Sequence, residues 1–273
     1  MKGSYSISRS EIITIGKMPV ERSGASKTAA ELPVSNAFVD KLRNHTLLTD
    51  EDTRLLTAAC AHQRTVPARH DLVREGDPPG PVFVMLEGWA CQYKLLPEGG
   101  RQITAFLMPG DFCDIHVAVL DHMDHSLATL TESRVAMIPR AQMEELTNTR
   151  PAIMRAFWRI QLVDEGVLRA WIVSMGRRSS IQRVAHLLCE LCVRAHSIGH
   201  AGDHRCELPI SQIAFADAVG LTPVHVNRVL RKLRLLGVIE KHARCLIVTD
   251  ITELGLIAGF DKAYLQQRLR RHE

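Results

Sequence analysis

The chain has 273 residues, 34 Lys and Arg against 30 Asp and Glu, 46 % apolar residues and 5 % aromatic residues, an ordinary globular composition with room for one large or two modest domains. No stretch reaches the ~18 apolar residues of a membrane helix, residues 1–19 lack the apolar core of a secretion signal, and the aromatics are too few to line a groove that stacks single-stranded bases. Seven scattered cysteines, an odd number, predict a reducing, cytoplasmic compartment rather than a disulfide framework.

Residues 1–32 are rich in Ser, Lys, Ala and Gly without a sustained period and read as a flexible arm. Phe38, Leu42, Leu47, Leu48, Leu55, Leu56 and Ala59 follow at helical spacing and predict two short helices before position 62. From 65 to 139 the texture changes to short β-branched and apolar segments cut by Gly, Pro and Asp. That pattern predicts a small sandwich or barrel over 65–139, which with the two helices makes a domain over 33–139. Helical spacing returns from 140. Pro151 suits the first turn of a long helix. Ile153, Phe157, Ile160, Val163, Val167, Leu168, Trp171, Val173 and Met175 give it an apolar stripe. That stripe packs either on its own sandwich or on a second copy across a two-fold axis. A further helix is predicted over 179–195, then a polar connection over 198–207.

Charge is unevenly placed. Residues 176–273 hold 15 Lys and Arg against 9 Asp and Glu, while residues 1–175 hold 19 against 21. A basic last third predicts contact with a polyanion. Within it, Ser211 is a good N-cap for a helix over 212–219, Gly220 a stop and turn, and Thr222-Pro223 a restart. The restarted helix carries Val226, Val229, Leu230, Leu233 and Leu236 on one arc and Val224, Asn227, Arg228, Arg231 and Lys232 on the opposite arc. Two helices around a tight turn, the second polar from its start, form a helix-turn-helix whose second helix enters the major groove. Two short strands, 238–241 and 245–248, with a basic tip between them, form a wing. Residues 251–273 read as a helical tail packed on this block.

The segments LPISQIAFADAVGLTPVHVNRVLRKL (208–233) and VIEKHARCLIV (238–248) resemble the winged helix of the Crp/Fnr family of bacterial transcription regulators. VREGD (73–77), VFVMLEG (82–88) and PGDF (109–112) resemble that family's cyclic-nucleotide-binding-type β-roll. The resemblance covers about residues 34–248. It implies an α+β protein: an N-terminal β-roll (double-stranded jelly-roll) sensor, connecting and dimerisation helices over 140–175, and a winged helix-turn-helix over 176–250. It further implies a homodimer that reads an inverted repeat in double-stranded DNA and contacts RNA polymerase, with no membrane partner and no enzymatic activity. Arg228 matches the family's recognition-helix arginine, which can read guanine through O6 and N7. Four residues earlier the family often has Glu. Val224 stands there and suits a thymine methyl instead, so the half-site is expected to differ. His225 and Asn227 are the other side chains near base edges, and the capping Thr222 is counted among the DNA-binding residues. Ser211, Gln212, Arg231, His242 and Arg244 are assigned to phosphate.

In the nucleotide-binding members a Gly-Glu pair holds the ribose and an Arg-Ser pair the phosphate. Asp114-Ile115 and His125-Ser126 occupy these places here. Ile cannot hydrogen-bond a ribose hydroxyl, and a neutral His offers one donor where Arg offers a charged fork. Cyclic AMP is therefore not the expected effector. Asp111, Cys113, Asp114, His116, His125 and Ser126 are the expected effector-pocket residues, with no cofactor assigned. Cys113, His116, His122 and His125 are also metal or haem ligand types, which leaves an alternative: a metal- or haem-dependent β-roll with an appended DNA-binding domain. A second such grouping, His186, Cys189, Cys192 and His196, shares one helix face. Its ordinary reading is the edge of a core.

Overall fold

The structure is a computed structural model and describes residues 36–113, 115, 120–198, 205–242 and 245–265. The expected N-terminal arm, Asp114, His116, the wing-tip residues Ala243 and Arg244, and the end of the tail beyond 265 lie outside the described residues.

Two short helices, α1 (Ala37–His45) and α2 (Asp50–Ala59), begin it. Asn36 caps α1 by accepting from the Val39 amide, and Thr49 and Asp52 close a reciprocal capping box on α2, which satisfies amides that a helix start leaves orphaned. Eight strands follow: β1 (Gln63–Val66), β2 (Asp71–Val73), β3 (Val82–Glu87), β4 (Ala90–Leu95), β5 (Arg101–Leu107), β6 (Phe112–Cys113), β7 (Ser126–Thr129) and β8 (Ser133–Ile138). They form two antiparallel four-stranded sheets, β1-β8-β3-β6 and β2-β7-β4-β5. Val82, Val84, Ala90, Leu107, Leu127 and Val135 fill the space between the sheets, joined by Phe38, Leu42 and Leu56 of the first two helices.

The second sheet is buried on both faces. On β4, Ala90 faces the sandwich interior and Cys91 and Tyr93 face the opposite way, into a second core, as the two-residue period of a strand requires. Gly110, in the turn between β5 and β6, has φ +91°, and a Cβ there would lie 2.6 Å from the Ala37 carbonyl oxygen. Only glycine lets α1 come this close.

The helices α3 (Arg140–Thr149), α4 (Pro151–Arg177) and α5 (Ser180–Ser197) come next. Pro151 stands at the first turn of α4, as expected. The single apolar stripe expected along α4 proves to be two faces. Ile153, Phe157, Ile160, Val167 and Trp171 are buried against this chain's own cores, whereas Leu168 and Val173 are exposed. A separate face of Trp158, Leu162, Leu168 and Ile172, the last 66 % exposed, points outward and spans about 120° at 100° per residue. The run of apolar residues concealed two directions because 27 residues carry the helix through more than seven turns.

The C-terminal part contains β9 (Cys206–Leu208), α6 (Gln212–Val219), α7 (Pro223–Leu235), β10 (Ile239–His242), β11 (Cys245–Val248), α8 (Ile251–Ala258) and a 3₁₀ turn, Lys262–Leu265. β9 begins in the stretch expected to be a polar connection and runs one residue past it. It pairs with β11, so the wing is a three-stranded sheet, β10-β11-β9. Three residues with one outward Glu207 are too short to show a period.

The second core joins this part to the sandwich: Tyr93, Ile103 and Phe106 meet Leu188 and Cys192 of α5 and Phe215 and Ala218 of α6. Arg101 of β5 pairs with Asp217 of α6 at 2.7 Å, and Gln102 donates to the Ala218 carbonyl at 3.2 Å. Arg194 of α5 donates to the Phe106 carbonyl and to Asp111, each at 2.8 Å.

Candidate nucleic-acid interface and sensor cluster

Ser211 caps α6 by accepting from the Ala214 amide at 3.1 Å. Gly220 ends the helix in the left-handed region, φ +63°, a conformation that costs a residue with a Cβ about 1–2 kcal/mol. Thr222 accepts from the His225 amide at 3.2 Å and caps α7, with Pro223 in its first turn. Val226, Val229, Leu230 and Leu233 are buried and fix the orientation of the helix. Leu236, expected on the same arc, is exposed, because α7 stops at Leu235 and Leu236 has become its C-cap.

The opposite face is open. Thr222, Val224, Asn227, Arg228, Arg231 and Lys232 are exposed and His225 is half-buried. Arg228, Arg231 and Lys232 make no ion pair among the described residues, and α7 itself contains no acidic residue. His242 ends β10, exposed. Ser211 and Gln212 lie elsewhere: with Lys241 they border a cleft of about 1270 Å³ whose other wall is the sandwich residues Arg69, Asp71, Thr131 and Glu132. The structure thus brings the expected base-edge residues together on one helix and sets two of the expected phosphate residues at the mouth of this cleft.

The expected sensor residues fall into two networks. Cys113 is buried. Its Sγ receives a hydrogen bond from Gln92 Nε2 at 3.2 Å and lies 3.4 Å from His125 Nε2. His125 Nδ1 lies 2.7 Å from Asp124 Oδ1, and this hydrogen bond holds the Asp124 carboxyl below the ordinary range. Ser126 accepts from the Glu75 amide at 3.0 Å, and Lys94 pairs with Glu75 at 2.9 Å. Gln92 faces Cys113 because it shares parity with Ala90 on β4.

Asp111 belongs to a different network. It is ion-paired with Lys41 of α1 and, at 2.8 Å, with Arg194 of α5, and it also accepts from the Met108 amide at 2.7 Å. Burial pushes its pKa up, but Lys41 and Arg194 outweigh burial and hold the carboxyl below its ordinary value. Arg194 also reaches Glu190, 3.7 Å away. Glu190 is fully buried and accepts from Trp171 Nε1 at 3.0 Å and Tyr264 Oη at 2.9 Å. There burial wins and the carboxyl is raised. Lys41, Asp111 and Arg194 line a cavity of about 60 Å³ between α1, α4 and α5, with Asp164 also on its wall. Neither Lys41, Glu190 nor Arg194 carries a sequence motif. Lys41 and Arg194 meet Asp111 across 70 and 83 positions, and Glu190 meets Trp171 of α4 and Tyr264 across 19 and 74.

Among the described residues no group of three or more His, Cys, Asp and Glu is arranged to hold a metal ion. His186 is stacked on Tyr264 and edge-on to Phe260. Burial pushes its imidazole down to about 4, so it is a neutral core group. Cys189 and Cys192 are buried beside it, and burial raises both thiols.

Two family models match the chain: the cyclic nucleotide-binding domain over residues 63–150 and the Crp-like helix-turn-helix domain over residues 182–257. The nitrogen fixation regulation protein FixK of Bradyrhizobium diazoefficiens is 31 % identical over 157 residues, 58 % of this chain and 65 % of that protein. The transcriptional activator protein anr of Pseudomonas aeruginosa is 24 % identical over 212 residues, covering 78 % of this chain and 86 % of its own. Among solved structures, FixK2 from Bradyrhizobium japonicum superposes with a TM-score of 0.64 at 23 % identity, over 71 % of this chain and 96 % of that one, a likeness of fold.

Proposed function

The chain belongs to the Crp/Fnr family of transcription regulators, and from that premise we propose that it is a cytoplasmic, homodimeric regulator that binds an inverted-repeat operator through α7. The observation that carries this reading is the exposed face of α7, with Arg228, Arg231 and Lys232 unpaired among the described residues. A surface meant for a polyanion keeps its donors available. Arg228 reads a base edge and Val224 meets a thymine methyl. Asn227 and His225 flank them, and Arg231 and His242 hold phosphate. The outward face of α4, Trp158, Leu162, Leu168 and Ile172, supports pairing with a second copy, which sets the two α7 helices at the spacing of two half-sites. RNA polymerase is then the partner that converts operator occupancy into transcription.

The effector is not cyclic AMP in this reading. Ser126 and His125, which stand where a phosphate would be held, are engaged with Glu75, Asp124 and Cys113, and His125 does not supply the charged fork of an Arg.

Selection from a random DNA duplex pool, with and without cyclic AMP, tests the proposal. An inverted repeat is expected to be enriched equally in both arms. Arg228→Ala should lower affinity for the selected site by about 1–3 kcal/mol, roughly 5-fold to 150-fold, and relax specificity at one position. Enrichment confined to the cyclic AMP arm overturns the effector reading. Unchanged binding by the variant overturns the role of α7.

A further inference from the structure

The cluster around Cys113 has the order of an activated nucleophile. Its sulfur lies 3.4 Å from His125 Nε2, and His125 Nδ1 lies 2.7 Å from Asp124 Oδ1. Since Nδ1 faces a carboxylate, it carries the ring proton and donates it, which leaves Nε2 as a base facing the thiol. The Gln92 amide donates to the same sulfur at 3.2 Å and favours negative charge there. The three groups also run from inside to outside. Cys113 is buried, the His125 side chain is 13 % exposed and Asp124 is 76 % exposed, so a proton leaving the sulfur has a route to water. Nucleophile, base and orienting acid in hydrogen-bond reach are what turns a thiol into a reactive thiolate. Cys60 and Cys91 are buried as well, and burial pushes their thiols up to about 11 and about 12.

We propose that Cys113 is a modification site for a small peroxide, with His125 as its base and Asp124 as the residue that positions that base. The thiol proton passes to His125 Nε2. The thiolate attacks one peroxide oxygen, the S–O bond forms and the O–O bond breaks. Sulfur is oxidised by two electrons to the sulfenic acid and the peroxide is reduced. The leaving hydroxide takes the proton back from His125 and departs as water. A small oxidant suits a sulfur enclosed between two sheets.

The consequence rests on the regulator reading. Phe112, the next residue, packs edge-on against Phe157 of α4 with ring centroids 5.1 Å apart. Asp111, one residue further, holds Arg194 of α5. An added oxygen on Cys113 therefore falls beside the contacts that tie the sandwich to the helix carrying the outward apolar face and to the first helix of the DNA-binding part.

The test uses the reduced, full-length protein without DNA. It receives a pulse of hydrogen peroxide, then catalase, then denaturation in dimedone, and peptide mass spectrometry follows each of the seven cysteines. Cys113 is expected to be labelled at least about tenfold faster than Cys60 and Cys91, and Cys113→Ser to remove that signal alone. Asp124→Asn should slow labelling of Cys113 about tenfold, at the low end for an impaired base, without changing the other six. Asp124→Glu should restore most of the rate. Asp124 is exposed, so neither variant disturbs the core. Labelling of Cys113 no faster than of Cys60 and Cys91, or equally fast in Asp124→Asn, overturns the proposal. Because no DNA is present, that failure would leave recognition by α7 intact, and a failed operator selection would leave this chemistry intact.

Discussion

The exposed face of α7 and the junction where the β5–β6 turn meets α5 handle charge in opposite ways. On α7, Arg228, Arg231 and Lys232 stand in water with no ion pair among the described residues. At the junction, Lys41, Asp111 and Arg194 are spent on one another. An exposed cation costs almost nothing to leave unpaired. A buried charge without a partner costs several kcal/mol. The same residue types therefore stand open to solvent in one place and serve as a structural tie in the other. The tie links α1, the sandwich and α5, elements that arise far apart in the chain.

The comparison breaks first at Asp111, where the largest effect is expected. Asp111→Asn leaves two cations facing each other across a neutral amide. Loss of one partner from a buried ionic group costs about 3–5 kcal/mol, read as a lower urea midpoint at unchanged slope. Because its carboxyl is held below the ordinary value, Asp111 contributes stability above the unfolded-state pKa and loses it as pH falls through the folded one. The gap between parent and Asp111→Asn should therefore narrow on acidification. A cost under about 1 kcal/mol would mean that the junction is not a tie.

Glu190, on the other side of Arg194, should show the opposite sign. Burial raises its carboxyl above the ordinary value of 4.5, so the folded state holds a proton that the unfolded state has released. Stability contributed by Glu190 is present at low pH and falls as pH rises above about 4.5, with a slope of at most about 1.4 kcal/mol per pH unit. Glu190→Gln removes that slope. Relative to the parent, the variant should gain stability as pH rises, measured by urea unfolding across the mildly acidic to neutral range. A variant that instead loses stability relative to the parent as pH rises would place Glu190 with Asp111 as a charged partner of Arg194.

How much of this was legible in the sequence follows from the range of the interactions. The caps Ser211 and Thr222, the Gly220 turn and the buried arc of α7 are local rules, and each was readable from a few neighbouring residues. The sandwich was readable as a texture of short strands and turns. The pairing of Lys41 with Asp111 and of Arg194 with Asp111 was not, because nothing local marks a residue whose partner is 70 or 83 positions away. Strand β9 was missed for a related reason: Cys206, Glu207 and Leu208 become a strand only through β11. The sensor residues were half readable. Cys113 and His125 were chosen by type and do meet, while Asp111, chosen as their neighbour in sequence, turns toward Arg194. Leu236 was misplaced because a helix pattern does not state where the helix stops.

The smallest expected effect sharpens the comparison most directly. Arg228→Ala removes a cation from the exposed face of α7, where it packs on no core and pairs with no acid among the described residues. Surface substitutions of this kind shift stability by no more than about 0.5 kcal/mol, and Ala is at least as good a helix former as Arg. The urea midpoint of the variant should therefore match that of the parent, while binding to the selected operator falls. If Arg228→Ala instead destabilises by more than about 1 kcal/mol, the side chain is already engaged in the free protein. The face of α7 would then resemble the junction rather than oppose it, because a cation held by its own chain must first be released before it can meet a base.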